Sequence, residues 1–142
     1  MPTRPYARPT LVLENLLTGT FATSTQNTPT QYSAPEYKGA IITLTATAAV
    51  GNNTLQLQFS PDEGTTWVSI GPTTTALTSA GNASLFVYPT NWSQAAGATP
   101  ANLTTGGTVA SIFLNAPMPA VWRVQLSVAT SITGVIRVQY LV

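Results

Sequence analysis

Apolar and polar residues alternate along most of this chain with a period of two, which places successive side chains on opposite faces of a strand. Ile42, Leu44, Ala46 and Ala48 alternate with Thr43, Thr45 and Thr47. After the turn Gly51-Asn52-Asn53, Leu55, Leu57 and Phe59 alternate with Gln56 and Gln58. Short strands follow over 66–70, 84–88 and 109–114, and two longer runs over 120–128 and 132–142. In the first long run, Trp122, Val124, Leu126 and Val128 oppose Arg123, Gln125 and Ser127. No window has a helical period with caps. Short, evenly spaced strands separated by Gly, Pro and Asn predict an all-β domain over 39–142, an antiparallel β-sandwich of jelly-roll type. The stretch 89–108 breaks the spacing and predicts a long surface loop carrying Trp92.

Residues 1–38 differ from the rest. Pro2, Pro5, Pro9, Pro29 and Pro35 punctuate them, and Thr18–Thr30 is a polar run. Proline removes a donor and favours extended backbone, so the segment is expected to be an extended N-terminal arm with one short strand over 11–17. At about 3.3–3.6 Å per residue such an arm could reach a neighbouring subunit. Arg4 and Arg8 supply charge for pairing with acidic groups, while Tyr6, Tyr32 and Tyr37 supply large anchors with few rotatable bonds.

Composition then removes most chemistry. Charged residues are 6% of the 142 positions, against roughly 25% in an average soluble domain. The chain has no cysteine and no histidine, which excludes disulfides, thiolate sites and imidazole catalysis. A net charge of +1 from five basic and four acidic residues gives no footprint for nucleic acid. No apolar run approaches the roughly twenty residues of a spanning helix, and the short 11–17 run lacks a signal-type cleavage site. The expectations are therefore no cofactor, no metal, no nucleic acid and no membrane.

Four patterns invite a functional reading. Ser60-Pro61-Asp62-Glu63-Gly64-Thr65-Thr66-Trp67 matches S-x-D-x-G-x-x-W, the Asp-box of sialidase-like propellers. Asp accepts turn amides, Gly supplies a positive φ and Trp packs over the hairpin. One box in a chain this short cannot build a propeller, so the expected role of Ser60, Asp62, Gly64 and Trp67 is a structural turn. Asp62 and Glu63, adjacent at a hairpin tip, cannot flank a glycosidic bond, and calcium needs more oxygen ligands than these two supply. Trp67 and Trp122 fit strand positions of the core, leaving Trp92 as a candidate sugar platform. Four N-x-[ST] sequons, at Asn52, Asn82, Asn91 and Asn102, are what a chain rich in Ser and Thr produces by composition.

The 41–70 hairpin, with its L-Q-L-Q-F strand and S-P-D-E-G-T-T-W element, resembles a pattern in small virion proteins of tailed bacteriophages. The weakly charged, Thr-rich chain with its N-terminal arm looks like a capsid decoration, or cement, protein. The resemblance implies a non-enzymatic viral structural protein that binds and stabilises the phage head through its sandwich and arm. Its partners would be the major capsid protein or other virion subunits, in a homo-oligomer such as a trimer. Its location would be the capsid surface, after assembly in the host cytoplasm. The alternatives are a tail, head–tail or baseplate component, and a carbohydrate-binding β-sandwich module acting through Trp92.

Overall fold

The computed structural model describes residues 13–89 and 108–141. The fold is all-β: eight strands and, among the described residues, no helix. The strands are β1 (Leu13–Asn27), β2 (Gln31–Tyr32), β3 (Gly39–Val50), β4 (Thr54–Phe59), β5 (Val68–Ile70), β6 (Gly81–Val87), β7 (Thr108–Leu114) and β8 (Val121–Leu141).

Strand β8 is the organiser. The two C-terminal runs anticipated from the sequence are one strand of 21 residues. One flank pairs with β4 near Ser127–Trp122 and with β3 near Leu141–Ser131. The other flank pairs with β1 and β2. Both flanking segments run antiparallel to β8, with register irregularities in β1 and in β3. Strands β6 and β7 extend the sheet beyond β3, and β5 extends it beyond β4.

Two expectations change here. The ladders join all eight strands into one continuous curled sheet instead of two separate sheets. The antiparallel rule also fails at one edge, because β7 runs parallel to β6, from Gly81↔Thr108 to Val87↔Leu114. A parallel neighbour requires the chain to return to the same end of the sheet, and local periodicity carries no trace of that return.

The N-terminal segment also departs from the arm reading. Residues 13–27 form a 15-residue strand paired antiparallel with β8, and Gln31–Tyr32 continue the pairing. Leu16 enters the core. The polar 18–30 run pairs because backbone, not side chain, makes the ladder; Thr18, Thr20, Thr23 and Thr25 face solvent, where hydroxyls are at no cost. Two irregularities bend β1, between Asn15 and Leu17 and between Ala22 and Ser24. Residues 1–12, with Arg4, Tyr6 and Arg8, lie outside the described residues, as do 90–107 with Trp92.

One face of the sheet curls around the core. In β8 the even positions Trp122, Val124, Leu126, Val128, Ile132, Ile136, Val138 and Tyr140 are all buried. They meet Ala40, Ile42, Leu44 and Ala46 of β3, Leu55 and Leu57 of β4, and Ala83, Leu85 and Val87 of β6. The opposite face is threonine-rich and tied by hydroxyl pairs: Thr20 with Thr133 at 2.9 Å and Thr43 with Ser84 at 3.3 Å. Such cross-strand pairs stabilise a solvated face without charge, which accounts for the composition.

Two threonines extend the ladders where strands lapse. Thr28, buried between β1 and β2, donates its N–H to the Val124 carbonyl at 3.0 Å and accepts the Val124 N–H on Oγ1 at 2.9 Å. Thr74 does the same for Leu55, at 2.9 and 3.0 Å. Each threonine satisfies both backbone groups of a core residue that would otherwise be orphaned.

Candidate interaction sites

Ser60, Asp62, Gly64 and Thr66 are joined by hydrogen bonds in one turn. Ser60 Oγ accepts the N–H groups of Asp62 at 3.3 Å and Gly64 at 2.6 Å, and donates to Asp62 Oδ1 at 2.9 Å. Asp62 Oδ1 also accepts the Thr66 N–H at 2.6 Å. That backbone bond, with further bonds from Thr66, Ser60 and Thr65, holds the carboxyl below its ordinary pKa. The turn needs left-handed backbone at two successive residues, Glu63 with φ 58° and Gly64 with φ 101°. Gly64 takes the second without a steric penalty. These Asp62 Oδ1 bonds all lie inside the turn.

Trp67 is a correction. Trp122 is fully buried, but Trp67 is only half-buried, because it precedes the short edge strand β5 and packs on the rim. The Arg123 guanidinium lies 4.3 Å from the centre of its ring, within cation–π range. Arg123 Nε donates to the Oε1 of buried Gln58 at 2.8 Å, and burial lowers the arginine pKa. Arg123, which the sequence presents only as an alternating polar position, is thus the partner that orders Trp67.

The tyrosines of the expected arm separate. Tyr32 is exposed at 66%. Tyr37 is stacked on Tyr140, centroids 4.2 Å apart and planes 15° apart, so one ring face is committed to the core. Tyr140 in turn meets Trp122 edge-on at 6.2 Å, and the Trp122 Nε1–H donates to Ser33 Oγ at 2.9 Å. Burial, then the charge of Glu14 and the neighbouring Tyr37, push the Tyr140 phenol up to about 12.

A feature the sequence reading missed lies at the end of the sheet where β3 starts and β6 and β8 finish. Tyr37, Tyr88, Pro89, Pro117, Met118 and Leu141 line a groove of about 460 Å³, with Lys38 at its rim. Tyr88 is held by an edge contact to Phe113 at 4.7 Å. The signal was present as Tyr88-Pro89 and Pro117-Met118-Pro119, two turn-like clusters thirty residues apart in sequence. Only the parallel placement of β7 brings them together.

Among the described residues no group of three or more Asp, Glu, His or Cys side chains could hold a metal. No helix among them is long and apolar enough to cross a membrane. No protein-family model matches the chain, and neither a curated protein nor a solved structure matches it.

Proposed function

We propose that this chain is a non-enzymatic structural protein of a tailed-phage virion, a decoration protein that attaches to the capsid surface and stabilises the head. The observation that carries the assembly half of this reading is the edge of β1. That strand is 15 residues long, pairs with β8 on one side, and among the described residues has no strand on the other. Its only charge is Glu14. Free proteins shield such edges with charges, prolines or short strands, because open backbone groups recruit other strands. In an assembly, burial against a neighbour replaces that protection. Elsewhere on the sheet, Tyr32, Val50 and Val68 are further exposed apolar residues. The phage half rests on the hairpin built around Ser60, Asp62, Gly64 and Trp67.

In this reading the partners are the major capsid protein or other virion subunits, including further copies of the chain, and the N-terminal residues contribute to attachment. Electron cryomicroscopy of the parent particle tests it. The expected result is density for this chain in symmetry-related copies on the head. Density confined to the tail, or absent from the particle, would overturn the decoration role.

A further inference from the structure

We propose that the groove between Tyr37, Tyr88, Pro117 and Met118 is the seat of the chain's own N-terminal sequence Pro2-Thr3-Arg4-Pro5-Tyr6-Ala7-Arg8-Pro9. Three observations converge on this occupant. The first is the chemistry of the walls. Tyrosines flanked by prolines and a methionine make an apolar, ridged surface of the kind that accepts proline-rich segments, whose restricted backbone loses little entropy on docking.

The second is where β1 starts. β1 starts at Leu13 opposite Gln139, two residues before Leu141 in the groove wall. Neighbouring strands lie about 4.8 Å apart, so β3 and β6 are roughly 10 and 15 Å from β1 across β8. Three extended residues cover about 10 Å, the distance from β1 to β3, so a segment N-terminal to residue 10 is within reach of the groove.

The third is charge. Glu14 lies close enough to Tyr140 to act on its phenol, and Tyr140 stacks on Tyr37 of the groove. Glu36 directly precedes Tyr37 and is exposed. With Lys38 lining the groove and Arg137 bonded to Asn15, this end of the sheet also holds half of the chain's four acidic residues, Glu14 and Glu36. Neither has an ion-pair partner among the described residues. Arg4 and Arg8, spaced among the prolines, match them. A short tether also gives the segment a high effective concentration at this site, so its own groove or that of an adjacent copy would fill readily.

This inference deepens the role given to the N-terminal residues and rests on the assembly reading for its use in the virion, but its test needs no capsid. In the full-length protein, Tyr6→p-benzoylphenylalanine places a photo-crosslinker in the middle of the segment. Irradiation and peptide mapping should give adducts on Met118, Tyr88 or Leu141. An adduct at monomer mass assigns the segment to its own groove, and one at dimer mass to a neighbour's; both support the proposal. Adducts mapping elsewhere, including to residues 90–107, or none above a denatured control, would overturn it. The Arg4→Glu, Arg8→Glu double variant of the same protein, shown folded by circular dichroism, should lose at least about fivefold in yield; an unchanged yield also overturns it. Capsid binding measured separately then distinguishes a failed groove from a failed decoration role.

Discussion

The side chain of Asn53 takes the place of a strand opposite Ala129. Its Oδ1 accepts the Ala129 N–H at 3.3 Å, and Thr23 Oγ1 donates to the Ala129 carbonyl at 2.8 Å from the other flank. Both ladders of β8 lapse at Ala129–Thr130, and these two side chains satisfy the backbone there. Asn53 Nδ2 also donates to the carbonyls of Val50, Gly51 and Leu77, at 3.3, 3.2 and 3.0 Å. Asn53 is completely buried. It fastens the bend of β3–β4 to the bend of β8, so the sheet can turn around its core without orphaned amides. Gly51 completes the bend, with φ 83° and no room for a Cβ beside Thr130.

Asn53→Ala should therefore destabilise the fold by about 2–4 kcal/mol, the scale of a few lost hydrogen bonds that leave buried groups unsatisfied. Urea denaturation monitored by fluorescence of the buried Trp122 measures it. A loss under about 0.5 kcal/mol would show that water replaces the side chain.

The lowered Asp62 pKa sets a direction in pH. Its folded value lies below the usual 3.8, so its contribution is fully present above that value and disappears as pH falls through the folded pKa. Asp62→Asn should flatten the acid limb of the stability profile between about pH 4 and the folded pKa. An acid limb identical to wild type would remove Asp62 from the turn's energetics.

Tyr140 works at the other end. Its pKa of about 12 lies above the usual 10, so its contribution is fully present below pH 10 and is lost as pH rises through 12. Tyr140→Phe keeps the ring contacts with Tyr37 and Trp122 and removes the proton. The variant should fold, lose the latest step of the phenolate absorbance titration, and resist alkali better than wild type.

Arg123→Ala removes both the cation over Trp67 and the donor to Gln58. The expected cost is about 1–3 kcal/mol, mainly from the unsatisfied Gln58 carbonyl. Trp67 should become more exposed, giving a red shift in the fluorescence difference spectrum. Arg123→Lys, which lacks the planar fork, should recover only part of either effect.

Truncation separates strand from tail. Deleting residues 1–30 removes β1, the Leu16 core contact and the Thr28 bridge to Val124. The product should lose its cooperative melt. Deleting residues 1–12 leaves β1 intact and should retain that melt, which makes it the appropriate truncation for measuring capsid attachment. A cooperative melt after the longer deletion would contradict the central place of β1.

Strand periodicity by itself determined the all-β class and the inward face of β3, β4 and the two halves of β8, because apolar alternation follows from the pleat. The local turn from Ser60 to Trp67 was equally legible, since its hydrogen bonds join residues at most four apart. Pairing partners were not. That the polar Thr18–Asn27 stretch is a strand depends on partners about a hundred residues away, and its side chains carry no apolar signal for that edge. The parallel β7, the fusion of two runs into one bent β8 and the groove at Tyr88 and Met118 share this cause. Side-chain pattern records which face a residue buries; hydrogen bonding between distant backbones decides which strands are neighbours, and backbones are the same at every position.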